Sequence, residues 1–236
     1  MKNRFNRLTS KEWLPFQKSW FKYESIYQLY RENIRFFTKN EDNDSVVIYD
    51  GLYFDKVQKI SKEEEISDNA NINVVKFEKF KNEDIQFAIF DFTDIITSKT
   101  SLDEYKKIRN QLIEKIQFIY EKIEYKRFVS IYIKNIQIEG SYYPLAWDLG
   151  KHISSILSLK DEKIGCFEFD NDLSENEFYN PNKEIFYCLY FKKDDIAEGK
   201  YKKNKNNFFS NNKQISTNVK FNNSMDSWYI IKPRPR

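Results

Sequence analysis

Three short apolar runs, each bounded by polar residues, divide the first half of the chain. Continuous apolar runs of this length are typical of strands that are buried in a sheet. They lie at 45–49, 72–77 and 85–91. Residues 61–71, between the first two runs, are polar and charged, and they predict a solvated connector.

A long helix is predicted to begin at Ser101. Ser101 and Glu104 have the spacing of a capping box, in which each side chain accepts a hydrogen bond from the backbone N–H of the other residue. Apolar side chains then recur every three or four positions as far as residue 123. The run 128–136 is rich in β-branched residues and predicts a strand. A strand, a helix and a second buried strand in this order predict a parallel crossover.

The remaining patterns of the body complete the predicted fold. A further helix is expected at about 145–158, and two closing strands at 163–169 and 184–191 are expected to form an antiparallel hairpin with a long loop. The fold class is therefore α/β, a three-layer sandwich with a mostly parallel sheet and a C-terminal antiparallel hairpin.

The two ends of the chain differ from this body. Residues 1–40 are aromatic and basic, and we predict two helices there, the first capped by Thr9 or Ser10. Four aromatic side chains of this segment are expected to form one buried cluster: Trp13, Phe16, Trp20 and Phe21. Residues 197–236 are polar and basic without a period, so we predict one domain, 1–196, followed by a flexible tail.

Composition narrows the class of protein. The apolar runs are too short to cross a membrane, and the N-terminus has no apolar segment typical of a secretory signal. The two cysteines, Cys166 and Cys188, are isolated and have no metal-binding spacing. We therefore expect a cytoplasmic protein with no membrane span, no disulfide framework and no bound metal.

Charge is distributed unevenly along the chain. Residues 1–40 carry nine Lys/Arg and three Asp/Glu, and residues 200–236 carry nine Lys/Arg and one acid. The body between them, 41–199, holds 21 basic and 32 acidic residues, a net charge of −11. Basic ends on an acidic body suggest weak contact with a polyanion such as DNA, although Lys-rich termini can also be merely solvated. The candidate DNA-contacting lysines are Lys200, Lys202, Lys203, Lys205, Lys213 and Lys220.

Several familiar catalytic motifs are absent from the sequence. The five glycines are too widely separated for a GxGxxG turn or a P-loop. The single histidine, His152, lies on a predicted amphipathic helix, and no second motif converges on it to suggest a catalytic triad.

Several segments, taken in order, resemble one family, the S-adenosylmethionine-dependent methyltransferases that modify the exocyclic amine of adenine or cytosine in DNA. They are LTSKEWLPFQKSWF (8–21), FFTK (36–39), SVVIYDG (45–51), EDIQFAIFDFTD (83–94), RFVSIYIKNIQIEGSYYPLAWDLGKHI (127–153) and NKEIFYCLYFKK (182–193). The resemblance implies a methyltransferase-like, Rossmann-like sandwich, with the cofactor strand at 45–51 and the catalytic turn after the strand that ends near Asp91.

The chain departs from the family at both functional motifs. The family's cofactor strand leads into a glycine-rich turn, whereas this chain has only Tyr49, Asp50 and Gly51 there. The family then has a helix, a second strand bearing an acid for the ribose hydroxyls, and another helix, and the segment from Gly51 to residue 85 is short for all of these. We therefore expect no bound S-adenosylmethionine.

The catalytic turn departs as well. In the family an Asp, Asn or Ser and a proline carbonyl hold the target amine, and an aromatic ring stacks on the flipped base. The corresponding positions here are Asp91, Phe92, Thr93 and Asp94, so both prolines are lost and an acid replaces the stacking ring. No catalytic residue is expected in this degenerate motif.

The leading hypothesis is a catalytically inactive methyltransferase-like protein that serves as a DNA-binding or scaffolding subunit, with an active methyltransferase as partner. One alternative is an active enzyme with divergent motifs that uses S-adenosylmethionine. The other is an unrelated module that binds single-stranded nucleic acid through Tyr201, Phe208 and Phe209 in the basic C-terminal segment.

Overall fold

The computed structural model describes residues 14–38, 45–63, 71–81, 83–97, 99–138, 141–167 and 185–211, together with Thr9 and Lys11. The strands are β1 (Trp20–Tyr23), β2 (Ser45–Asp50), β3 (Ile72–Lys76), β4 (Ile85–Asp91), β5 (Ile123–Ile133), β6 (Ile136–Ile138), β7 (Ser141–Tyr143), β8 (Ser158–Phe167) and β9 (Ile185–Lys192). The α helices are α1 (Ile26–Phe37), α2 (Phe54–Ile60), α3 (Leu102–Tyr120), α4 (Leu145–Ile153) and α5 (Asp195–Asn211). Short 3₁₀ turns cover Leu14–Gln17 and Phe77–Lys79.

Seven strands form one sheet in the order β1-β8-β9-β5-β4-β2-β3. The pairs β2–β3, β2–β4, β4–β5 and β1–β8 are parallel. Strand β9 is antiparallel to both β5 and β8, so the predicted C-terminal hairpin is confirmed. Strands β6 and β7 form a separate two-stranded hairpin. The predicted fold class, a mostly parallel methyltransferase-like α/β sandwich, is confirmed by this arrangement.

Helices cover both faces of the sheet. Helices α3 and α4 pack on one face, where Ile116 and Leu149 lie in a core with Ile131 of β5. Helices α1 and α2 pack on the other face, where Leu29 and Val57 share a second core with strand residues. Strand β4 is buried along its whole length, because it lies between these two layers.

The capping box predicted for the long helix is present. The Ser101 hydroxyl accepts a hydrogen bond from the Glu104 backbone N–H at 3.2 Å, and the Glu104 carboxylate accepts one from the Ser101 backbone N–H at 2.8 Å. The Ser101 hydroxyl also donates to the Glu104 carboxylate at 2.9 Å, and the two bonds that this carboxylate accepts lower its pKa. They fix the start of α3, and the crossover from β4 through α3 to β5 is parallel, as predicted.

Of the two helices predicted for the N-terminal segment, the second is confirmed as α1, whereas the first and its four-member aromatic cluster were wrong. Residues 20–23 form an edge strand beside β8, and their side chains alternate between solvent and the core. Trp20 is 55% exposed, Phe16 is buried, and Trp13 lies outside the described residues. Phe16 and Phe21 do lie together, with ring centroids 5.9 Å apart. A four-residue run with three aromatic side chains fits either a helical or a strand period, and pairing with the backbone of β8 decides in favour of the strand.

The prediction of a tail from residue 197 was also wrong for the residues that the structure describes. Helix α5 continues to Asn211, Ala197 is buried, and the ring of Tyr201 stacks on Tyr120 with centroids 3.9 Å apart. Ala197 and Tyr201, one helical turn apart, hold the start of the helix against the body. Two contacts are too few to produce a recognisable helical periodicity of apolar residues in the sequence. Among the helices described, none has both the length and the apolarity that a membrane crossing requires.

Candidate functional site

The two segments that the sequence resemblance aligns with the cofactor and catalytic motifs meet at one point of the sheet. Strands β2 and β4 are parallel neighbours, with Asp50 opposite Phe90. The chain leaves β2 through α2 on one face and leaves β4 through α3 on the other. In open α/β sheets, ligands bind outside the carboxyl ends of two strands that diverge in this way. This place is therefore the candidate site.

Asp91, at the end of β4, is enclosed within the protein. It is 3% exposed, and its Oδ2 accepts a hydrogen bond from the Tyr30 hydroxyl. Its Oδ1 accepts one bond from the Thr93 backbone N–H at 2.9 Å and another from the Thr93 hydroxyl at 2.7 Å. Burial raises the pKa of the Asp91 carboxyl, and the hydrogen bonds from Tyr30 and Thr93 offset only part of that effect. Both carboxylate oxygens are thus already bound by groups of this chain.

Tyr49 occupies the space at the end of β2. Its hydroxyl lies 3.0 Å from the Tyr30 hydroxyl and accepts a hydrogen bond from the Tyr53 backbone N–H at 3.1 Å. Burial, followed by the nearby Asp91 charge, raises the pKa of the Tyr49 phenol. A Cβ placed on Gly51 would lie 2.7 Å from the Tyr49 hydroxyl and 3.0 Å from Asp91 Cβ. The backbone of Gly51 is therefore covered by Tyr49 and Asp91.

The rest of the catalytic-turn motif divides between core and surface. Phe92 and Thr93 are buried, and the Phe92 backbone N–H donates to the Tyr132 carbonyl at 2.9 Å. Asp94 faces outward, where its carboxylate accepts a hydrogen bond from the Tyr53 hydroxyl and lies 3.4 Å from Lys134 Nζ. The hydrogen bond to Asp94 is the largest cause that raises the pKa of Tyr53 to about 12.

Asp50, the middle residue of the degenerate cofactor motif, is paired with a lysine. Its Oδ2 lies 2.7 Å from Nζ of Lys115, which projects from α3. Four residues at this site were missed in the sequence: Tyr30, Tyr53, Lys115 and Lys134. Tyr30, Lys115 and Lys134 come from distant parts of the chain, and Tyr30 is 61 positions from Asp91. Tyr53 follows Gly51 closely, but no known motif marks it.

The second strand of the resemblance is present, but its end differs. Strand β3 contains no acidic residue and ends at Lys76, whose Nζ lies 4.9 Å from the centroid of the Phe54 ring. The described residues between β3 and β4 contain a 3₁₀ turn and no α helix. The short segment after Gly51 therefore provides one helix and one strand before β4.

The candidate DNA-contacting lysines lie mainly on α5. Lys200, Lys202 and Lys203 are exposed, and Lys205 is in the same helix. Lys200 Nζ donates to the Ser154 carbonyl at 3.0 Å, and Lys202 Nζ lies 3.8 Å from the Glu198 carboxylate. Both contacts are on the surface, where such pairs contribute little to stability. Lys213 and Lys220 are outside the described residues.

The histidine on α4 has a local role. His152 Nδ1 lies 2.8 Å from the Asp148 carbonyl oxygen and 3.4 Å from the Asp148 carboxylate. Asp148 in turn accepts hydrogen bonds from Tyr105 at 2.7 Å and Arg109 at 2.9 Å. These contacts join α3 to α4.

Comparison with known proteins gives structural neighbours only. No protein-family model and no curated protein match the chain. Three similar solved structures are a candidate DNA modification methylase from Thermus thermophilus, the B. subtilis M1A22 tRNA methyltransferase TrmK, and the plantazolicin methyltransferase BpumL in complex with SAH. Their sequence identities are 10%, 10% and 13%, and their TM-scores are 0.37, 0.37 and 0.36.

The coverage of these matches is partial. The matches cover 64%, 74% and 78% of this chain, in the same order, and 53%, 68% and 86% of the neighbours. The chain thus spans about half the length of the DNA modification methylase. At these scores the neighbours say nothing about activity, so the function has to be inferred from the site.

Proposed function

We propose that the protein is a catalytically inactive DNA methyltransferase-like subunit that binds DNA or scaffolds a complex with an active methyltransferase. The observation that carries the proposal is that side chains of the protein itself fill the space at the carboxyl ends of β2 and β4. The Asp91 carboxylate is buried, and both of its oxygens already accept hydrogen bonds from Tyr30 or Thr93, so it is poorly placed to hold a target amine. Its hydrogen-bonding needs are met within the protein.

The residues present do not fit S-adenosylmethionine. Close approach of a ligand to a backbone requires space beside a glycine. At Gly51 that space is taken by the phenol of Tyr49 and by Asp91 Cβ. Strand β3, on which the resemblance implies an acid for the ribose hydroxyls, has no acidic residue and ends in the cation of Lys76. These contacts support a protein that functions without the cofactor.

The lysines of α5 support contact with DNA. Lys200, Lys202 and Lys203 are exposed on a helix that the Tyr120–Tyr201 stack holds against the body. Residues 200–236 carry nine basic residues and one acid, whereas 41–199 have a net charge of −11. Phosphates should therefore be attracted to this end of the molecule and repelled by the body. Binding of this kind comes mostly from counterion release and depends little on sequence.

Titration calorimetry with S-adenosylmethionine tests the cofactor part of the proposal. We expect no measurable heat of binding at ligand concentrations that saturate an intact methyltransferase, which serves as the positive control. A dissociation constant in the low micromolar range would contradict the proposal and favour an active enzyme with divergent motifs.

Fluorescence anisotropy with a labelled duplex tests the DNA part. Replacement of Lys200, Lys202, Lys203 and Lys205 by Glu should abolish binding. If about five lysines engage phosphates, log affinity of the unmodified protein should fall with log salt at a slope of roughly −4 to −5. The matched control changes charge equally at four exposed lysines elsewhere: Lys56, Lys59, Lys79 and Lys81. Equal affinity for the two variants would remove α5 from DNA binding.

A further inference from the structure

The open end of the sheet carries two exposed tryptophans on one face. Trp20, in the edge strand β1, is 55% exposed, and Trp147, near the start of α4, is 58% exposed. Tryptophan is usually well buried, so two such residues on one surface suggest a binding site. The other two tryptophans of the chain, Trp13 and Trp228, lie outside the described residues.

The register of the strands places these indoles near each other. Trp20 pairs with Ile164 of β8, and Ile164 pairs with Tyr187 of β9, so the three side chains share a face. Glu162, two positions before Ile164, lies on the same face and next to the indole of Trp147. Residues two apart on a strand are separated by about 7 Å, and neighbouring strands by about 4.8 Å. The two indoles therefore flank one strip of β8.

This face is the one that α3 and α4 cover elsewhere. Tyr187 packs at the margin of the core below these helices, whereas Phe21 and Tyr23 of β1 point into the core on the opposite side of the sheet. Lys22, like Trp20, points outward and is exposed. Among the residues that the structure describes, the helical layer thus ends before β1 and leaves the sheet face partly open there.

Polar contacts hold the aromatic rings by their edges. The Trp147 indole lies next to the Glu162 carboxylate, and the hydroxyls of Tyr187 and Tyr142 lie next to each other. Asn135 Nδ2 also donates to the Tyr142 hydroxyl at 2.8 Å. Rings whose polar atoms meet such neighbours keep their orientation, and their faces are available without further ordering. Such preorganisation favours binding.

The basic residues around Trp20 indicate which class of ligand this face would bind. Residues 1–23, which lead into and include β1, carry six Lys/Arg and one acid, Glu12. Lys18 and Lys22 of this set are exposed on either side of Trp20. Fixed aromatic rings beside lysines match the chemistry of single-stranded nucleic acid, in which unpaired bases stack on rings and phosphates meet cations. A purely apolar protein partner would not require these cations.

We propose that the open face formed by Trp20, Ile164, Tyr187 and Trp147 is a stacking platform for single-stranded nucleic acid. It is separate from the lysines of α5 and rests on the proposed function only in that the chain contacts nucleic acid. The ligand class is an unpaired, flexible strand. A duplex should bind this face poorly, because its bases are stacked within the helix.

Anisotropy with a labelled 12-nucleotide oligothymidine tests the platform on the full chain. Trp20→Ala and Trp147→Ala should each weaken binding about tenfold, the effect expected from the loss of one stacked base. Trp20→Phe should retain most of the affinity, since it keeps an aromatic face. The control is Phe118→Ala on α3, an aromatic side chain that is 60% exposed and should not matter. Melting temperatures check that each variant is folded.

The outcomes separate this site from the α5 lysines. Loss of oligothymidine binding in the two Trp→Ala variants, with duplex binding unchanged, supports the platform. Unchanged binding in both variants overturns it, even if the lysine-to-glutamate variant of α5 loses the duplex and so supports the proposed function. Loss of binding in Phe118→Ala to the same extent would also overturn it. The proposal would also be overturned if this face bound a catalytic methyltransferase subunit and the protein had no affinity for the oligothymidine.

Discussion

The phenol of Tyr49 lies directly over Gly51, and a Cβ on Gly51 would stand 2.7 Å from the Tyr49 hydroxyl oxygen. Tyr49 is itself fixed by Tyr30 and by the Tyr53 backbone N–H. The absence of a side chain at Gly51 therefore allows Tyr49 to pack closely against the backbone. This contact makes the end of β2 part of the packed interior.

Gly51→Ala is expected to destabilise the protein by about 1–3 kcal/mol, the usual cost of overpacking a well-packed site. Denaturant unfolding measures the effect. Gly199→Ala is the matched control, because nothing lies within 4 Å of a Cβ at that position on α5 and alanine favours a helix. Stability at or above that of the unmodified protein in Gly51→Ala would show that Tyr49 moves aside easily.

Asp91→Asn tests the buried carboxyl. The folded-state pKa of Asp91 is raised above the ordinary value by burial, so the folded protein holds this proton more tightly than the unfolded chain. The contribution to stability is fully present below pH ~4 and is lost as pH rises through the folded-state pKa. Each tenfold difference in proton affinity corresponds to about 1.4 kcal/mol.

The free energy of unfolding, measured from pH 3 to 8, should therefore fall less steeply in Asp91→Asn than in the unmodified protein. Glu78→Gln makes the same chemical change at an exposed position and should leave the profile unaltered. Superimposable profiles for the unmodified protein and Asp91→Asn would exclude Asp91 as a titrating group in this range.

Lys163→Met tests a second buried charge. Lys163 on β8 is 2% exposed, its Nζ donates to the Phe16 carbonyl, and it lies 4.1 Å from the centroid of the Phe16 ring. Burial lowers its pKa below 10.5, although Asp161 raises it in part and Cys188 lies nearby. The unfolded chain then binds the proton more tightly, so stability should rise with pH between the lowered folded-state pKa and 10.5.

Unfolding of the unmodified protein and Lys163→Met, compared between pH 7 and 10, isolates this contribution, because tyrosine ionisation is common to both. The difference in unfolding free energy should change by about 1.4 kcal/mol for each tenfold difference in proton affinity. A constant difference across the range would contradict the expectation. Lys59→Met, at an exposed position, is the control.

Tyr201→Ala should release α5 from the body. The stack on Tyr120 contributes roughly 0.5–1.5 kcal/mol beyond its buried area, so backbone amides of residues 195–203 should exchange up to about tenfold faster. Hydrogen exchange followed by mass spectrometry gives the rate. Lys203→Ala, one exposed position on the same helix, should leave the rate as it is. Equal protection in Tyr201→Ala would mean that Ala197 alone holds the helix.

Trp20→Ala should leave the melting temperature within a degree or two, since changes at exposed positions alter stability by less than about 0.5 kcal/mol. If Trp20 were buried in a four-member aromatic cluster, its replacement by Ala would instead cause a large loss of stability. A fall of several degrees would show that the indole is packed in solution. Phe16→Ala, at a buried position of the same segment, is the contrast and should be strongly destabilising.

The sequence by itself determined the regular elements whose signals are local. Continuous apolar runs identified β2 and β4, because strands covered on both faces need no polar side chains. The pairing of Ser101 with Glu104 located the start of α3, since a capping box depends on four consecutive residues. The class of fold followed from the order of these elements.

Only the tertiary structure decided the rest. Strand β1 exists because β8 offers it a backbone to pair with, and α5 is held by two contacts that leave no period in the sequence. The closed site depends on Tyr30, which is 61 positions from Asp91 in the chain and adjacent to it in space. Contacts between distant residues leave no local pattern in the sequence. The filling of the space at the ends of β2 and β4 is therefore seen only in the folded structure, where α1 packs against the sheet.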